Sequence, residues 1–144
     1  MDNASAIADR LHSAAIHLLR GVAREDPKSG LSAARLSALS VVVFAGPLGL
    51  SELAAAERVQ PPTMTRTVQA LERDGLVRRR PSPHDGRAVQ IEATARGRRR
   101  LAVARRRRVA KLAQALETLS PEEISLLSHA SGKIEAISAI LSYD

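Results

Sequence analysis

Apolar residues recur every three or four positions along most of the chain, which is the spacing of one face of an α-helix. This pattern predicts helices over about 4–24, 32–45, 50–58, 61–74, 94–118 and from 121 to the end. Between the fourth and fifth helices, the strand-like run 76–80, the turn-rich segment 81–87 and the alternating run 88–92 predict a β-hairpin. A short strand is predicted at 48–50. The fold class is therefore mainly α, with a small sheet (α+β).

The segment 61–75 has a sharp start, a sharp end and a polar face that the fold does not need. Pro61 and Pro62 fit a first helical turn, and Gly75 is the residue type that ends a helix. One stripe is apolar and consists of Met64, Val68 and Leu71. The opposite face consists of Thr63, Arg66, Ala70 and Arg73, flanked by Thr67 and Gln69. One face packs, and the other is available for a partner.

The preceding segment 50–58 predicts a shorter helix, with Ser51 as its N-cap and Leu53 facing inward. Two short helices joined by a tight turn form a helix-turn-helix, whose second helix is built to lie in the major groove of DNA. The hairpin that follows carries arginines and corresponds to a wing. The sequence therefore predicts a winged helix-turn-helix.

Four motifs in this region resemble the MarR family of bacterial transcriptional regulators. They are Thr65-Arg66, Leu71-Glu-Arg-Asp-Gly-Leu-Val77, Pro81-Ser-Pro-His-Asp-Gly-Arg87 and Ile91-Glu-Ala-Thr94. The most distinctive part is the Asp-x-Arg of the wing, here Asp85 and Arg87. Two positions depart from the family pattern, since Gly86 replaces a bulkier residue and Ala93 stands where Leu is usual. The resemblance spans nearly the full length, although its specific motifs lie between about 50 and 97.

The resemblance implies a single domain over 1–144, with a winged helix-turn-helix unit at about 31–93 and long dimerisation helices at about 1–30 and 94–144. It also implies a sequence-specific regulator of double-stranded DNA that acts as a repressor. The recognition helix (about 61–74) would lie in the major groove and the wing (about 76–92) in the minor groove. Family members bind small aromatic or phenolic anions between the dimer base and the DNA-reading unit, so a small aromatic or anionic effector is expected to release the DNA.

The terminal helices carry more apolar surface than one small domain could cover, which independently predicts a homodimer. The first helix presents Ile7, Leu11, Ala14, Leu18 and Val22, and the last presents Ile124, Leu127, Ile134, Ile137 and Leu141. A symmetric dimer places two recognition helices on successive turns of the duplex. The predicted target is a pseudo-palindrome with half-site centres roughly 10 base pairs apart.

The positive net charge of the chain and its distribution are consistent with a nucleic-acid partner. The chain of 144 residues carries a net charge of +7, and residues 66–111 contain fifteen Lys or Arg against four acidic residues. Such a local excess around a helix-turn-helix points to a polyanion. The alternative is a general preference for Arg, with the basic residues of the long helix simply solvated. A further alternative is that the basic residues of the long helix near its junction with the wing bind an anionic ligand.

Each position on the recognition helix has a predicted role. Arg66 can offer a bidentate fork to guanine and is the first choice for base readout. Thr63 and Thr67 offer hydroxyls to bases or phosphates, or else bond within their own helix. Gln69 and Arg73 are expected to contact phosphates. The family resemblance makes Pro62 a rigid contact at the helix start.

The wing has its own predicted contacts, at Arg80, Ser82, Asp85 and Arg87. By resemblance to the family, Arg87 enters the minor groove, where a narrow groove attracts arginine. Asp85 either holds Arg87 or a neighbouring basic side chain by a charge-assisted bond, or satisfies its own backbone in a turn. Strand alternation allows either Arg78 with Arg80, or Arg79, to face the DNA.

Other classes of protein have weaker support in the sequence. Cys is absent, so thiol chemistry and Cys-based metal sites are excluded. A metal-sensing winged helix is one alternative, but His12 and His17 are separated by about 140° on their helix and cannot face one ion. A winged-helix module that binds protein or RNA is another. No metal or cofactor is expected, and no constellation or loop typical of an enzyme is present. Neither a signal sequence nor a membrane span is visible, which predicts a cytoplasmic protein.

Overall fold

The computed structural model describes residues 3–142 and confirms a mainly helical fold with a small antiparallel sheet. The helices are α1 (Ala4–Ala23), α2 (Ala33–Ala45), α3 (Leu50–Ala56), α4 (Pro61–Arg73), α5 (Ala95–Leu116) and α6 (Pro121–Ser142). A short 3-10 helix spans Asp26–Ser29, and the strands are β1 (Leu48–Gly49), β2 (Val77–Pro81) and β3 (Val89–Ala93). The chain divides into two compact units, one up to Val109 and one from Ala110 onwards.

The sheet of the first unit has the strand order β1-β3-β2 and is antiparallel throughout. Val77 pairs with Ala93 and Arg79 pairs with Ile91, so the hairpin is a two-stranded wing, while β1 pairs with β3 through Leu48 and Ile91. The strand predicted at 48–50 is present at Leu48–Gly49, and Leu50 already belongs to α3. The core beside the sheet collects side chains from α2, α3, α4 and the strands, including Leu36, Leu39, Leu53, Met64, Val68, Leu71, Leu76 and Ile91.

Side-chain caps explain where three helices begin. Ser32 Oγ accepts the Arg35 N–H at 3.3 Å and starts α2, and Thr94 Oγ1 accepts the Gly97 N–H at 3.0 Å and starts α5. The prediction that Ser51 caps α3 is wrong. The helix already begins at Leu50, and the Glu52 carboxylate accepts the Gly49 N–H at 2.8 Å, so Ser51 lies inside the first turn.

The turn between α3 and α4 is tight and strained. Arg58 adopts a φ of 53°, in the left-handed region where a side chain other than Gly costs on the order of 1 kcal/mol. The backbone N–H groups of Arg58 and Val59 bond the carbonyls of Ala55 and Ala54, which holds this turn closed. Helix α4 then begins with Pro61, as predicted.

Three arginines of α5 hold the segment between α1 and α2. Arg108 forms a bidentate pair with Asp26, with Nε–Oδ1 and Nη2–Oδ2 distances of 2.6 Å each. The Arg100 Nε–H donates to the Ser29 carbonyl at 2.8 Å, and Arg107 bonds the Lys28 carbonyl. Asp26 is only 3% exposed, and its hydrogen bond to Arg108 is the main reason that the pKa of that guanidinium is raised.

The second unit contains the end of α5 and all of α6. A capping box begins α6 where the apolar pattern predicts a helix start, because the Glu123 carboxylate accepts the Ser120 N–H at 2.8 Å and Ser120 Oγ accepts the Glu123 N–H at 3.2 Å. Helix α6 leaves large apolar side chains exposed, among them Leu126, Leu127, Ile134, Ile137, Ile140 and Leu141. Across residues 3–142, no single helix is both long and apolar enough to cross a membrane, and only the bent pair Ala4–Ser29 and Ala33–Ala45 reaches that composition jointly.

Candidate nucleic-acid interface

Helix α4 divides into a buried face and an exposed face. Met64, Val68 and Leu71 are at most 2% exposed and anchor the helix in the core. The exposed side chains are Pro61, Pro62, Thr63, Arg66, Gln69 and Arg73. The sequence pattern places Ala70 with this exposed group, but Ala70 is buried because α2 packs along that side of α4. The remaining polar face is therefore narrower than predicted.

The two arginines of this face are not used by the fold. Within residues 3–142, neither Arg66 nor Arg73 forms a hydrogen bond or an ion pair with another side chain. They are seven residues apart, which places them about 10 Å from each other along the same side of the helix. Their guanidinium groups point to solvent with all donors available, an arrangement suited to a phosphate or a guanine edge.

The threonines of α4 differ in how far the fold engages them. Thr67 Oγ1 donates to the Thr63 carbonyl at 3.1 Å, and Thr65 Oγ1 donates to the Pro61 carbonyl at 2.9 Å. For Thr67, the bond within its own helix is therefore the one that the structure contains, although the hydroxyl oxygen can still accept a hydrogen bond. Thr63 is exposed, and its hydroxyl is not engaged within the described part of the chain.

The arginines of β2 are held by two glutamates. Arg78 Nε and Arg80 Nη1 donate to Glu92 of β3, at 2.8 and 3.2 Å, whereas Arg79 Nε donates to Glu72 of α4 at 3.1 Å. The side chains alternate across the strand as predicted. The hydrogen bond from Arg78, more than the charges of Arg78 and Arg80, holds the pKa of Glu92 below its ordinary value of 4.5. The Glu72–Arg79 bond ties the wing to α4.

The wing tip is built from backbone and side-chain turns. Asp85 Oδ1 accepts the backbone N–H of Arg87 at 3.0 Å, and Ser82 Oγ accepts the N–H of His84 at 3.3 Å. Of the two roles predicted for Asp85, the structure contains the turn, because the carboxylate accepts a backbone N–H and has no ion-pair partner among the described residues. The Arg87 side chain is exposed and has no partner among the described residues.

One basic residue of this surface was missed from the sequence. Arg35 lies in the first turn of α2, beside α4, and its Nη1 is 3.9 Å from Asp74 Oδ2. It is the only charged residue of α2, whose other members are apolar or small. A single arginine on an otherwise apolar helix is the sequence signal from which Arg35 could have been predicted as part of this surface.

A separate apolar cavity of about 530 Å³ lies between α1, α2 and α5 within the first unit. Its apolar lining includes Leu19, Leu36, Val41, Phe44 and Leu101, and its rim carries Arg105 together with Arg108, whose charge is paired with Asp26. Elsewhere in residues 3–142, no three His, Asp or Glu side chains lie close enough together to hold a metal ion.

The wing paired beside two short helices, with the second helix exposing unpaired arginines, defines a winged helix-turn-helix protein. Residues 31–89 match the model of the MarR family. The chain is 35% identical to an HTH-type transcriptional regulator of Mycobacterium bovis over 95% of its length and 96% of the relative. A similar regulator of Mycobacterium leprae is 34% identical, with 93% and 94% covered.

Solved structures agree in fold. A MarR family protein from Bacillus stearothermophilus is similar, with a TM-score of 0.78 and 25% identity over 96% of this chain and 99% of that one. The apo form of MarR from E. coli gives a TM-score of 0.73 and 22% identity over 88% and 95% of the two chains. The chain therefore belongs to the MarR family of helix-turn-helix transcriptional regulators.

Proposed function

We propose that this protein is a repressor that binds a pseudo-palindromic operator as a homodimer in the cytoplasm. Helix α4 enters the major groove and the wing lies over the adjacent minor groove. The observation that carries this proposal is the outer face of α4, where Arg66 and Arg73 are exposed and unpaired within residues 3–142 while the opposite face is buried. Side chains that the fold does not use, on a helix short enough for the groove, support a role in recognition.

Arg66 reads bases, and its neighbours position the helix. Arg66 follows the exposed Thr63 by one turn, where a guanidinium reaches the O6 and N7 acceptors of guanine. Gln69 and Arg73 lie further along and contact phosphates, and Pro62 and Thr67 flank the base-reading position. This division follows the general rule that phosphate contacts orient a protein and base contacts give specificity.

The wing contributes through Arg87. The Asp85 turn fixes the backbone at Arg87 and leaves its guanidinium free to enter a narrow minor groove. Ser82 and Arg80 lie at the base of the tip, with Arg80 bound through one nitrogen to Glu92. Arg80 therefore keeps other donors for a phosphate.

Dimerisation is supported by apolar surface on two helices, each considered alone. In α1, Leu18 and Leu19 are 52% and 63% exposed, and in α6, Leu126 and Ile140 are 70% and 66% exposed. Side chains of this size at such exposure are typical of an interface. A second copy of the chain is the proposed partner.

Release from DNA involves a small effector in the cavity between α1, α2 and α5. Its apolar lining suits an aromatic ring, and Arg105 suits a carboxylate or phenolate, whereas the charge of Arg108 is already paired with Asp26. The proposed effector is therefore a small aromatic anion. Screening such compounds for release of bound operator tests this part of the proposal.

Selection of DNA from a random pool with the purified protein tests DNA recognition. We expect enrichment of an inverted repeat whose half-site centres lie about 10 base pairs apart. Arg66→Ala is expected to weaken binding by about 1–3 kcal/mol and to relax the preference at one base position in each half-site. Arg106→Ala, which removes an exposed arginine from α5, is the matched control and should leave the preference intact. Unchanged base preference in Arg66→Ala would remove Arg66 from base readout.

A further inference from the structure

A cleft beside the recognition helix joins it to α2. Its volume is about 370 Å³, and its lining consists of Ser32, Ala34, Arg35, Arg66, Thr67, Gln69, Ala70 and Arg73. The two alanines leave the space open because their side chains end at Cβ. The three arginines bring positive charge to one place from two different helices.

The fold does not neutralise this charge. Asp74 is the nearby acid, with its Oδ2 3.9 Å from Arg35 Nη1, and both side chains are well exposed, at 46% and 38%. A long, exposed ion pair of this kind contributes little to stability. Glu72, the other acid at the end of α4, is engaged with Arg79. An excess of two positive charges therefore remains around the cleft.

We infer that this cleft seats a backbone phosphate of the operator and that Arg35 is a DNA contact outside both the recognition helix and the wing. The inference rests on the proposed function. A helix in the major groove is flanked by sugar-phosphate strands, so a side chain from the neighbouring helix meets the backbone rather than the bases. Arg35 and Arg73 grip the phosphate from two sides, which leaves Arg66 for the bases. On binding, the phosphate replaces Asp74 as the partner of Arg35.

Binding of selected operator and of a random duplex, measured by fluorescence anisotropy over a range of salt concentrations, tests this role. We expect Arg35→Ala to lower the affinity for both duplexes by a similar factor, on the order of tenfold, with base preference unchanged. The slope of log affinity against log salt should fall by about 0.9 for each lost contact, which means about 1.8 for a dimer. Arg35→Lys should retain most of the slope, because a lysine still neutralises a phosphate.

Two controls make the result decisive. Arg106→Ala removes the same charge from an exposed site on α5, and we expect it to preserve the slope. An equal loss of slope in Arg106→Ala would overturn the inference, because net charge alone would then explain the effect. Arg35→Gln keeps a polar side chain that is shorter than arginine and uncharged, and it repeats the test should Arg35→Ala fail to melt cooperatively.

The inference and the proposed function fail in different ways. Wild-type affinity and slope in Arg35→Ala, with wild-type protein that binds operator, would overturn the phosphate seat and leave the regulator intact. Wild-type protein that ignores duplex DNA at low salt would overturn both.

Discussion

Asp26 is an acidic residue that is buried and paired rather than exposed to solvent. It is 3% exposed, and both of its carboxylate oxygens accept hydrogen bonds from Arg108. A buried carboxylate is tolerated only when it is paired and hydrogen-bonded. The pair joins α5 to the segment that leads into α2, and so fixes the position of the start of α2 relative to α5.

Asp26→Ala is therefore expected to lower the free energy of unfolding by about 2–3 kcal/mol. This is less than the loss for a fully buried pair, because Arg108 remains 34% exposed and can be hydrated. Urea denaturation followed by circular dichroism measures the change. The matched control is Lys28→Ala, which breaks an exposed pair with Glu25 in the same segment and should cost about 1 kcal/mol or less. Equal losses in the two variants would contradict the importance of the buried pair.

Residue by residue, the sequence predicts exposure better than partners. The polar face of α4 was predicted from periodicity, because the buried stripe at Met64, Val68 and Leu71 follows from helical geometry alone. The partner of Asp26 was not predicted, since Arg108 lies 82 residues away and no local pattern connects the two. The partner of Asp85 could not be predicted either, because an aspartate is equally suited to a turn and to an ion pair.

Among the elements, the junction between the wing and α5 has the least room. A Cβ added at Gly97 would collide with the backbone carbonyl of Leu76, which lies just before β2. Gly97→Ala is expected to destabilise the protein by about 1–3 kcal/mol, because backbone atoms must move apart. Gly86 at the wing tip has open space around it, so Gly86→Ala should change stability by less than about 0.5 kcal/mol. Thermal melting of both variants checks this, and equal stability would contradict the close contact.

The pairing of β2 with β3 is expected to depend on pH through Glu92. Its pKa is lowered from 4.5, first by the hydrogen bond from Arg78, so the folded state favours the charged carboxylate. A lowered pKa contributes stability that is present above the unfolded value and is lost as the pH falls through the folded value.

The test of this pH dependence compares wild type with Glu92→Gln by urea denaturation. Wild type should be the more stable protein at about pH 6, and the difference should shrink as the pH falls below about 4.5. A difference that stays constant down to about pH 3 would show that Glu92 acts through packing rather than charge.

Helix ends with strong local signals were predicted well. Pro61 lacks an N–H group that a first turn would leave unpaired, and Thr94 and Ser120 each accept an N–H group of the turn that follows, so all three mark the observed starts. The start of α3 was misassigned, since Glu52 reaches back to Gly49 and a cap by Ser51 is unnecessary. The left-handed conformation of Arg58 has no sequence signal, because it follows from how the two helices of the motif pack.

For the whole molecule, the exposed apolar residues of α1 and α6 imply a homodimer. Wild-type protein is expected to sediment at twice the 15.4 kDa mass of the chain. Combining Leu126→Glu with Ile140→Glu should give a folded monomer that no longer binds operator tightly. The monomer should stay folded because these side chains are 70% and 66% exposed within the chain, so replacing them removes little packing from its own core. Analytical ultracentrifugation measures the mass.

The control for this assembly is Ser51→Glu, which places one such carboxylate on the exposed part of α3 and should remain a dimer. A dimer that persists in the double variant would move the interface away from α6. The sequence already pointed to such an interface, since the first and last helices carry more apolar residues than one small domain could cover. The partner surface itself could not be derived from one chain.

The bond between Glu72 and Arg79 has a further consequence for the kind of operator that this protein can accept. Because α4 and β2 are joined by only three residues and Arg79 donates to Glu72 at 3.1 Å, we expect the helix and the hairpin to move together as one reading head. The distance between the bases that each contacts is then constant within a half-site. Inserting a base pair between those two positions should abolish recognition, whereas the centre of the operator, spanned by two separate heads, should tolerate changes in sequence.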